Sequence, residues 1–305
     1  VPEGHSVHRI ALQFERDVVG HRVATSSPQG RFTEGAALLD GREVLESTAV
    51  GKHLLLRFEG DLTLHVHLGL YGAWDFLGHV SPLFPDGKAG SSIGAPRRRR
   101  AVRLSETEHE THSDLDEFPP PPVGAVRVRI MTEETVADLR GPTACEVMDP
   151  AQVEALLARL GPDPAVDDSD EARDRFVNRL RRTATPVGLV LMDQSVVSGI
   201  GNIYRAELLY RAGLDPHTPG KQVPLELAQE LWRDWADLLE DGIRTGMMIT
   251  RRGLTKTERS KAVRSRAERN YVYKREGLPC RVCGTNVLLE EIGARKLYWC
   301  PVCQS

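Results

Sequence analysis

Four cysteines close to the C-terminal end of the sequence constrain this chain more than any other feature. They fall in "CRVCGTNVLLEEIGARKLYWCPVC", which reads C-x2-C, sixteen residues, C-x2-C. A gap of that length accommodates a β-hairpin, and closing the hairpin brings two thiolate pairs around one tetrahedral Zn2+. Cys280, Cys283, Cys300 and Cys303 are the expected ligands. The rival reading is a disulfide framework. That would spread an even number of cysteines along a short secreted chain, whereas four of the five here crowd into the last 26 residues. Four protein ligands leave no open position for chemistry, so the metal is expected to be structural. Cys145 stands apart and is read as a small buried hydrophobe.

At 305 residues the chain suggests two or three units of ~100 to 200 residues each. No apolar run approaches the ~18 residues of a membrane span, and no basic-then-apolar leader opens the sequence, so a cytoplasmic protein with no membrane partner is expected. The net charge of −3 argues against a nucleic-acid partner only as an average. Between Arg244 and Arg275 there are eleven Lys or Arg against two acids, Glu258 and Glu268. A local excess of that size binds polyanions, because neutralising phosphates releases condensed counterions. A solvated basic linker is the competing reading.

Helical and strand periodicities organise the rest. Val7, Ile10, Ala11, Phe14 and Val18 recur at three- and four-residue steps before Gly20, which predicts an N-terminal helix from Glu3 to about Asp17. Short β-like runs follow, "HRVATSS", "EVLESTAVGKHLLLRF" and "LTLHVHLGLYGAW", and glycines between them suggest an antiparallel sandwich or barrel. Residues 78–124 are rich in Gly, Pro, Ser and opposed charge blocks and are read as a disordered insertion, with Arg97 to Arg100 and His109 and His112 given no role. Strands resume in "AVRVRIMTEETVADLR". A helix then opens with Asp149 as N-cap and Pro150 at its first position, and Gly161 with Pro162 stops it. Further helices are expected near 170–183, 186–193, 203–211 and 225–241, making the middle third helical.

With these segments in order, "PEGH", "GKHLLLRF", "HLGLYG", "LMDQSVVSGIGNIYRAELLYRAGLDP" and "YVYKREGLPCRVCG…YWCPVCQ" together resemble the formamidopyrimidine-DNA glycosylase and endonuclease VIII family over nearly the whole chain outside 78–124. The resemblance implies an α+β multidomain protein. An N-terminal helix and antiparallel β-sandwich would occupy 2–140, a helix-two-turn-helix domain 148–245, a basic lesion loop or linker 246–270, and a zinc-finger hairpin 271–305. It also implies a monomeric DNA glycosylase and abasic-site lyase of base excision repair, containing one structural Zn2+, acting on damaged double-stranded DNA and associated with the nucleoid through it.

By the same resemblance Pro2 is the nucleophile. A secondary amine attacking C1′ of a deoxyribose gives a cationic iminium directly, and that cation is the electron sink for β- and δ-elimination of the phosphates. The amine must be free, so Val1 is read as an alternative start codon, decoded as methionine and trimmed. An α-amine starts near ~7.7 to 8.0 and a helix N-terminus disfavours its positive charge. Glu3 is the expected acid/base group and Lys52 the phosphate contact nearest the lesion. Leu70 and Tyr71 are the apolar wedge that fills the hole left by an extruded base. Arg140 is a further DNA contact, Asn202 grips a phosphate at a helix N-terminus, and Arg295 holds the phosphates that flank the extruded nucleotide. His65 and His67 are read as structural.

Two departures bear on activity. Members often carry a second glutamate three residues after the first, and here Ser6 stands in its place. The purine-specific branch pairs an arginine with phenylalanine, and "DLRGPTAC" keeps Arg140 without the aromatic. That absence, with "PEG" and "LYG", favours the endonuclease VIII branch and oxidised pyrimidines. Two alternatives stay open: an abasic-site lyase with weak glycosylase activity, and a non-catalytic zinc-finger DNA-binding protein if Val1 persists.

Overall fold

The computed structural model describes residues 2–83, 100–104 and 118–305, with the backbone alone described for 100–104. The chain divides into two compact units, Val1–Ala158 and Arg159–Ser305. Among the described residues no helix is long and apolar enough to cross a membrane.

Unit one opens with helix α1 (Gly4–Asp17). Its apolar stripe, Val7, Ile10, Ala11 and Phe14, is buried, and Gly20 ends the turn that follows with φ 83°. Then come β1 (Ala24–Ser26), α2 (Thr33–Leu39), β2 (Val44–Val50), β3 (His53–Phe58), β4 (Leu62–His67), β5 (Ala73–Gly78), β6 (Arg100–Leu104), β7 (Val126–Met131), β8 (Thr135–Arg140), β9 (Ala144–Met148) and α3 (Pro150–Ala158). All pairings are antiparallel, in one sheet of order β1-β7-β8-β5-β6 and another of order β2-β3-β4-β9. Side chains alternate faces along a strand. Leu54, Leu56, Phe58, Leu64 and Val66 therefore join the core, while His53, Arg57, Thr63, His65 and His67 share the opposite face. Phe14 of α1 inserts its ring edge-on against Trp74 and Phe76 of the other sheet, with centroids 4.8 and 5.0 Å away.

Part of the stretch read as a disordered insertion is structured. Residues 100–104 pair with β5 from Trp74↔Leu104 to Gly78↔Arg100. The flanks are also engaged: Val80 and Leu83 are buried, and Arg129 Nη1 donates to the Pro120 carbonyl at 2.8 Å. The physical reason is that the open edge of a strand pairs with any extended neighbour through backbone groups, so charged composition does not report it. Residues 84–99 and 105–117, including His109, His112 and most of the arginine run, lie outside the described residues.

Unit two contains α4 (Asp170–Arg181), α5 (Val187–Val190), α6 (Asn202–Arg211), α7 (Leu225–Thr245), α8 (Lys256–Arg264) and the hairpin β10 (Leu288–Ile292)–β11 (Arg295–Trp299). Ser169 Oγ caps α4 by accepting the Ala172 N–H at 3.1 Å, and acids at its start with arginines at its end complement the helix dipole. Phe176, Tyr204, Leu209, Trp232 and Trp235 form the core, with Tyr204 edge-on to Trp235 at 4.7 Å. The basic segment 246–270 is more ordered than a linker. It contains α8, whose capping box pairs Thr255 Oγ1 with the Glu258 N–H at 3.3 Å and Glu258 Oε2 with the Thr255 N–H at 2.9 Å.

Candidate active site and metal centre

The sulfurs of Cys280, Cys283, Cys300 and Cys303 all lie within 4.8 Å of one another. Cys280 Sγ is 3.9 Å from Cys303 Sγ and Cys283 Sγ is 3.4 Å from Cys300 Sγ. A tetrahedron with Zn–S bonds of ~2.3 Å has S···S edges of about 3.8 Å, so the four thiols fit one zinc ion. The chain binds a single structural Zn2+ at these residues. Hydrogen bonds from Thr285 hold the Cys283 thiol down at about 6. Burial and then the neighbouring thiols push Cys303 up to about 12, which a cation reverses by taking all four as thiolates. The pair is built against α6: Cys280 and Cys300 are buried with Ala206, Tyr210, Val272, Val287 and Tyr298, and the Tyr210 hydroxyl meets Cys280 Sγ at 3.1 Å.

At the other end of the sequence Pro2 and Glu3 are buried, and Glu3 is the N-cap of α1 with φ −116° and ψ 175°. The Ser6 hydroxyl accepts the Glu3 N–H at 3.2 Å and donates to the Glu3 carbonyl at 2.9 Å. Ser6 therefore fixes the backbone that carries Glu3, a role a longer glutamate would fill differently. Lys52 lies in the turn between β2 and β3 and is half-buried. Its ammonium acts on His67, whose pKa is lowered by burial first, then by Lys52 and His65.

Leu70 and Tyr71 lie in the turn between β4 and β5, and Tyr71 is 86% exposed. Two glycines are required there. Gly69 has φ 66° and a side chain on it would strike Thr143, while one on Gly72 would lie 2.4 Å from the Leu68 carbonyl. Arg140 ends β8 and is held inside unit one by Asp75 and by the Val123 carbonyl at 3.1 Å.

In unit two the "SGIG" turn is fastened by Gln194, whose Oε1 accepts the Gly199 N–H and whose Nε2 donates to the Ile200 carbonyl, both at 3.0 Å. Asn202 begins α6, and its Nδ2 donates to the Lys296 carbonyl at 2.8 Å. The buried Arg205 reaches the same carbonyl at 3.0 Å and also Asn202 Oδ1. Arg295, exposed at the start of β11, is thus one residue from the point where the hairpin is tied to α6.

Two features were not anticipated from the sequence. Glu207 of α6 is fully buried and accepts the N–H groups of Tyr271, Val272 and Tyr273 at 2.7, 2.8 and 2.9 Å, together with the Thr250 hydroxyl. On the outer face of the second sheet, Glu146, His65 and His53 form a hydrogen-bonded chain. The available signal was positional: Arg205 and Glu207 interrupt the apolar run "NIYRAELLY", and His53, His65 and His67 share one strand face.

A β-sandwich headed by a capped helix, a helical unit with a glycine turn at the start of α6, and a four-cysteine hairpin docked on that same helix define a zinc-finger protein of the helix-two-turn-helix class. Family models agree segment by segment. Residues 1–140 match the formamidopyrimidine-DNA glycosylase N-terminal domain, 160–253 the formamidopyrimidine-DNA glycosylase H2TH domain, and 277–305 the zinc finger found in FPG and IleRS. Endonuclease 8 1 of Mycobacterium tuberculosis is 36% identical over 308 aligned positions, covering all of both chains. The formamidopyrimidine-DNA glycosylase of Thermus thermophilus is 30% identical over 278, covering 88% of this chain and 85% of the relative. Among solved structures, the Thermus thermophilus MutM (FPG) protein superposes with a TM-score of 0.67 at 24% identity, covering 99% of this chain and 98% of that one. The Lactococcus lactis Fpg complex with abasic-site DNA gives 0.70 at 18%, covering 99% of each. The chain belongs to the formamidopyrimidine-DNA glycosylase and endonuclease 8 family of DNA-repair glycosylases and abasic-site lyases.

Proposed function

We propose that the chain removes oxidised pyrimidines from double-stranded DNA in base excision repair and then cuts the strand, through a Schiff base on the Pro2 nitrogen. The observation that carries this reading is the buried Pro2–Glu3 pair at the N-terminus of α1, with the Glu3 backbone held by Ser6. The chemistry requires that Pro2 be the mature terminus. Its unprotonated amine then attacks C1′ as Glu3 protonates the ring oxygen and the C1′–O4′ bond opens; the proton shed by the proline nitrogen goes to the departing base as the C1′–N bond to that base breaks. The resulting iminium acidifies C2′, so loss of that proton expels the 3′ phosphate, and a second elimination expels the 5′ phosphate. Water finally hydrolyses the imine and regenerates the amine.

Lys52, Asn202 and Arg295 serve as phosphate contacts in this scheme, and Leu70 with Tyr71 fills the vacated stack. Arg140, joined to Asp75, acts as a braced rather than a mobile contact. Likeness over its full length to a protein named endonuclease 8 1, and the missing phenylalanine after Arg140, support the pyrimidine assignment.

The test is borohydride reduction in the presence of abasic-site duplex. A covalent complex should form and should vanish in Pro2→Gly. No trapping by protein whose mass shows a free Pro2 refutes the mechanism. Faster excision of 8-oxoguanine than of thymine glycol refutes the substrate class. Ser6 favours one second reading, an abasic-site lyase with little base excision, since its hydroxyl is occupied as a backbone cap. Rapid nicking of abasic duplex with negligible release of thymine glycol would select it.

A further inference from the structure

The four prolines of "FPPPPV", residues 118–123, have no part in the scheme above. Each proline ring fixes its own φ at about −65° and forces the residue before it into extended backbone. Pro119, Pro120 and Pro121 each precede another proline, so both dihedrals of all three are set, and the run is a polyproline II helix with three residues per turn. It lies in no strand, and from Pro119 to Pro122 it has no backbone N–H to offer one.

The sheet of β5, β7 and β8 holds this helix in place. The ring of Phe118 is half-buried against Gly78, where a Cβ would lie only 2.6 Å from it. Arg129 Nη1 donates to the Pro120 carbonyl at 2.8 Å while its Nε and Nη2 donate to Asp138, both at 2.7 Å. Arg140 Nη1 donates to the Val123 carbonyl at 3.1 Å, and its Nη2 is paired with Asp75. The two carbonyls held in this way are one turn apart and therefore lie on one side of the helix. Pro120 is buried there, and Gly124, with φ 73°, turns the chain into β7. Pro119 and Pro122, also one turn and about 9 Å apart, are exposed. So are Pro121 and Val123, the latter to 68%.

What can cover the outer side follows from its chemistry. A run without N–H groups cannot take an added β-strand. Nor does it suit a phosphate backbone: it carries no cation of its own, and the thirteen residues before Phe118 in the sequence include six acids and no Lys or Arg. It does present apolar rings at a fixed spacing, and among the described residues no hydrogen bond reaches the carbonyls of Pro121 and Pro122. Rings and carbonyls in that order are what an aromatic-lined groove takes, with Tyr and Trp packing on the prolines and donating O–H and N–H to the carbonyls. The acidic sequence favours a groove with a basic margin. Since the helix is already ordered, little conformational entropy remains to be lost on binding.

We propose that residues 119–123 are a docking site for a partner protein whose aromatic-lined groove reads polyproline II ligands. The residues that present it take no part in the strand cleavage described above.

The experiment titrates purified SH3, WW and EVH1 domains, which have grooves of this kind, into the full chain by calorimetry. At least one should bind. A variant combining Pro119→Ala, Pro121→Ala and Pro122→Ala, which spares the buried Pro120, should bind that domain at least about tenfold more weakly, since each change removes ring methylenes from the contact. Its affinity for abasic-site duplex should match wild type. Should the triple variant melt early, Pro122→Ala alone should weaken binding about tenfold. In extract of the source organism, a photoreactive phenylalanine analogue in place of Val123 should cross-link to an aromatic groove, and a synthetic peptide of residues 118–124 should prevent it. No binding by any of the three domains, equal binding by the variant, or no cross-link that the peptide prevents each overturns the proposal. Weaker duplex binding by a stably folded triple variant would give this face to DNA, and self-association of wild type that the variant lacks would give it to a second copy; either result also overturns it.

Discussion

Glu207→Gln is the substitution from which most can be learned about unit two. One oxygen of this buried carboxylate accepts the N–H groups of Val272 and Tyr273, and the other accepts the N–H of Tyr271 and the hydroxyl of Thr250. Thr250 also donates its own N–H to the Arg269 carbonyl at 3.1 Å. A single side chain therefore fastens both ends of the basic segment 251–270. Glutamine keeps the shape and one acceptor oxygen; the Thr250 hydroxyl can turn to the Arg269 carbonyl at 3.3 Å and accept from the amide, but the Tyr271 N–H is left facing an N–H group. Losing that bond to a carboxylate costs about 1.5 to 3 kcal/mol, so the segment should open more easily by roughly that amount. At about 1.4 kcal/mol per factor of ten, the open population rises by roughly 10 to 10². Trypsin reads this directly, since cleavage tracks the open population when reclosing is fast, and the segment is dense in Lys and Arg. Mass spectrometry should find the first cuts inside 251–270. A rate within about threefold of wild type, with an unchanged urea midpoint, would refute the view that Glu207 closes this segment.

Other perturbations test separate parts of the molecule. Cys283→Ser should abolish stoichiometric zinc and melt the β10–β11 hairpin, because metal binding of about 10 to 16 kcal/mol is folding energy in such sites; zinc analysis with amide exchange of 288–299 checks it, and retained zinc with a protected hairpin contradicts it. Arg129→Leu should cost about 3 to 5 kcal/mol in urea unfolding, since it strands Asp138, paired at 2.7 Å with both side chains buried; an effect below about 1 kcal/mol would deny the pair its importance. His217 links Asp215 and Glu290 at 2.7 Å each, and although burial acts to lower its pKa, the Asp215 hydrogen bond and the Glu290 charge leave it raised. The stability it contributes is complete below its unfolded value near 6.5 and is lost as pH rises through the higher folded one. His217→Gln should thus remove a pH-dependent contribution of a few tenths of a kcal/mol, small because the site is well solvated; identical pH–melting curves for wild type and variant would contradict it.

Features written in consecutive residues were legible without a structure. The cysteine spacing specifies its metal because the intervening residues need only turn once. The helix of 150–158 is announced by Asp149 and Pro150, and its capping box indeed joins Asp149 Oδ1 to the Gln152 N–H at 2.8 Å. Strand alternation through "KHLLLRF" and "LTLHVH" foretold β3 and β4. Tertiary structure alone decided which polar side chains meet. The partners of Glu207 lie 43 to 66 residues away, the Lys296 carbonyl that Asn202 and Arg205 share lies more than 90 away, and Glu146 is 81 residues from His65. Strand β6 likewise exists through the edge of β5, not through its own composition. Local signals record what a chain can hydrogen-bond to within a few residues. A buried carboxylate or imidazole is satisfied only after sheets and helices have packed, and no short stretch of sequence carries that information.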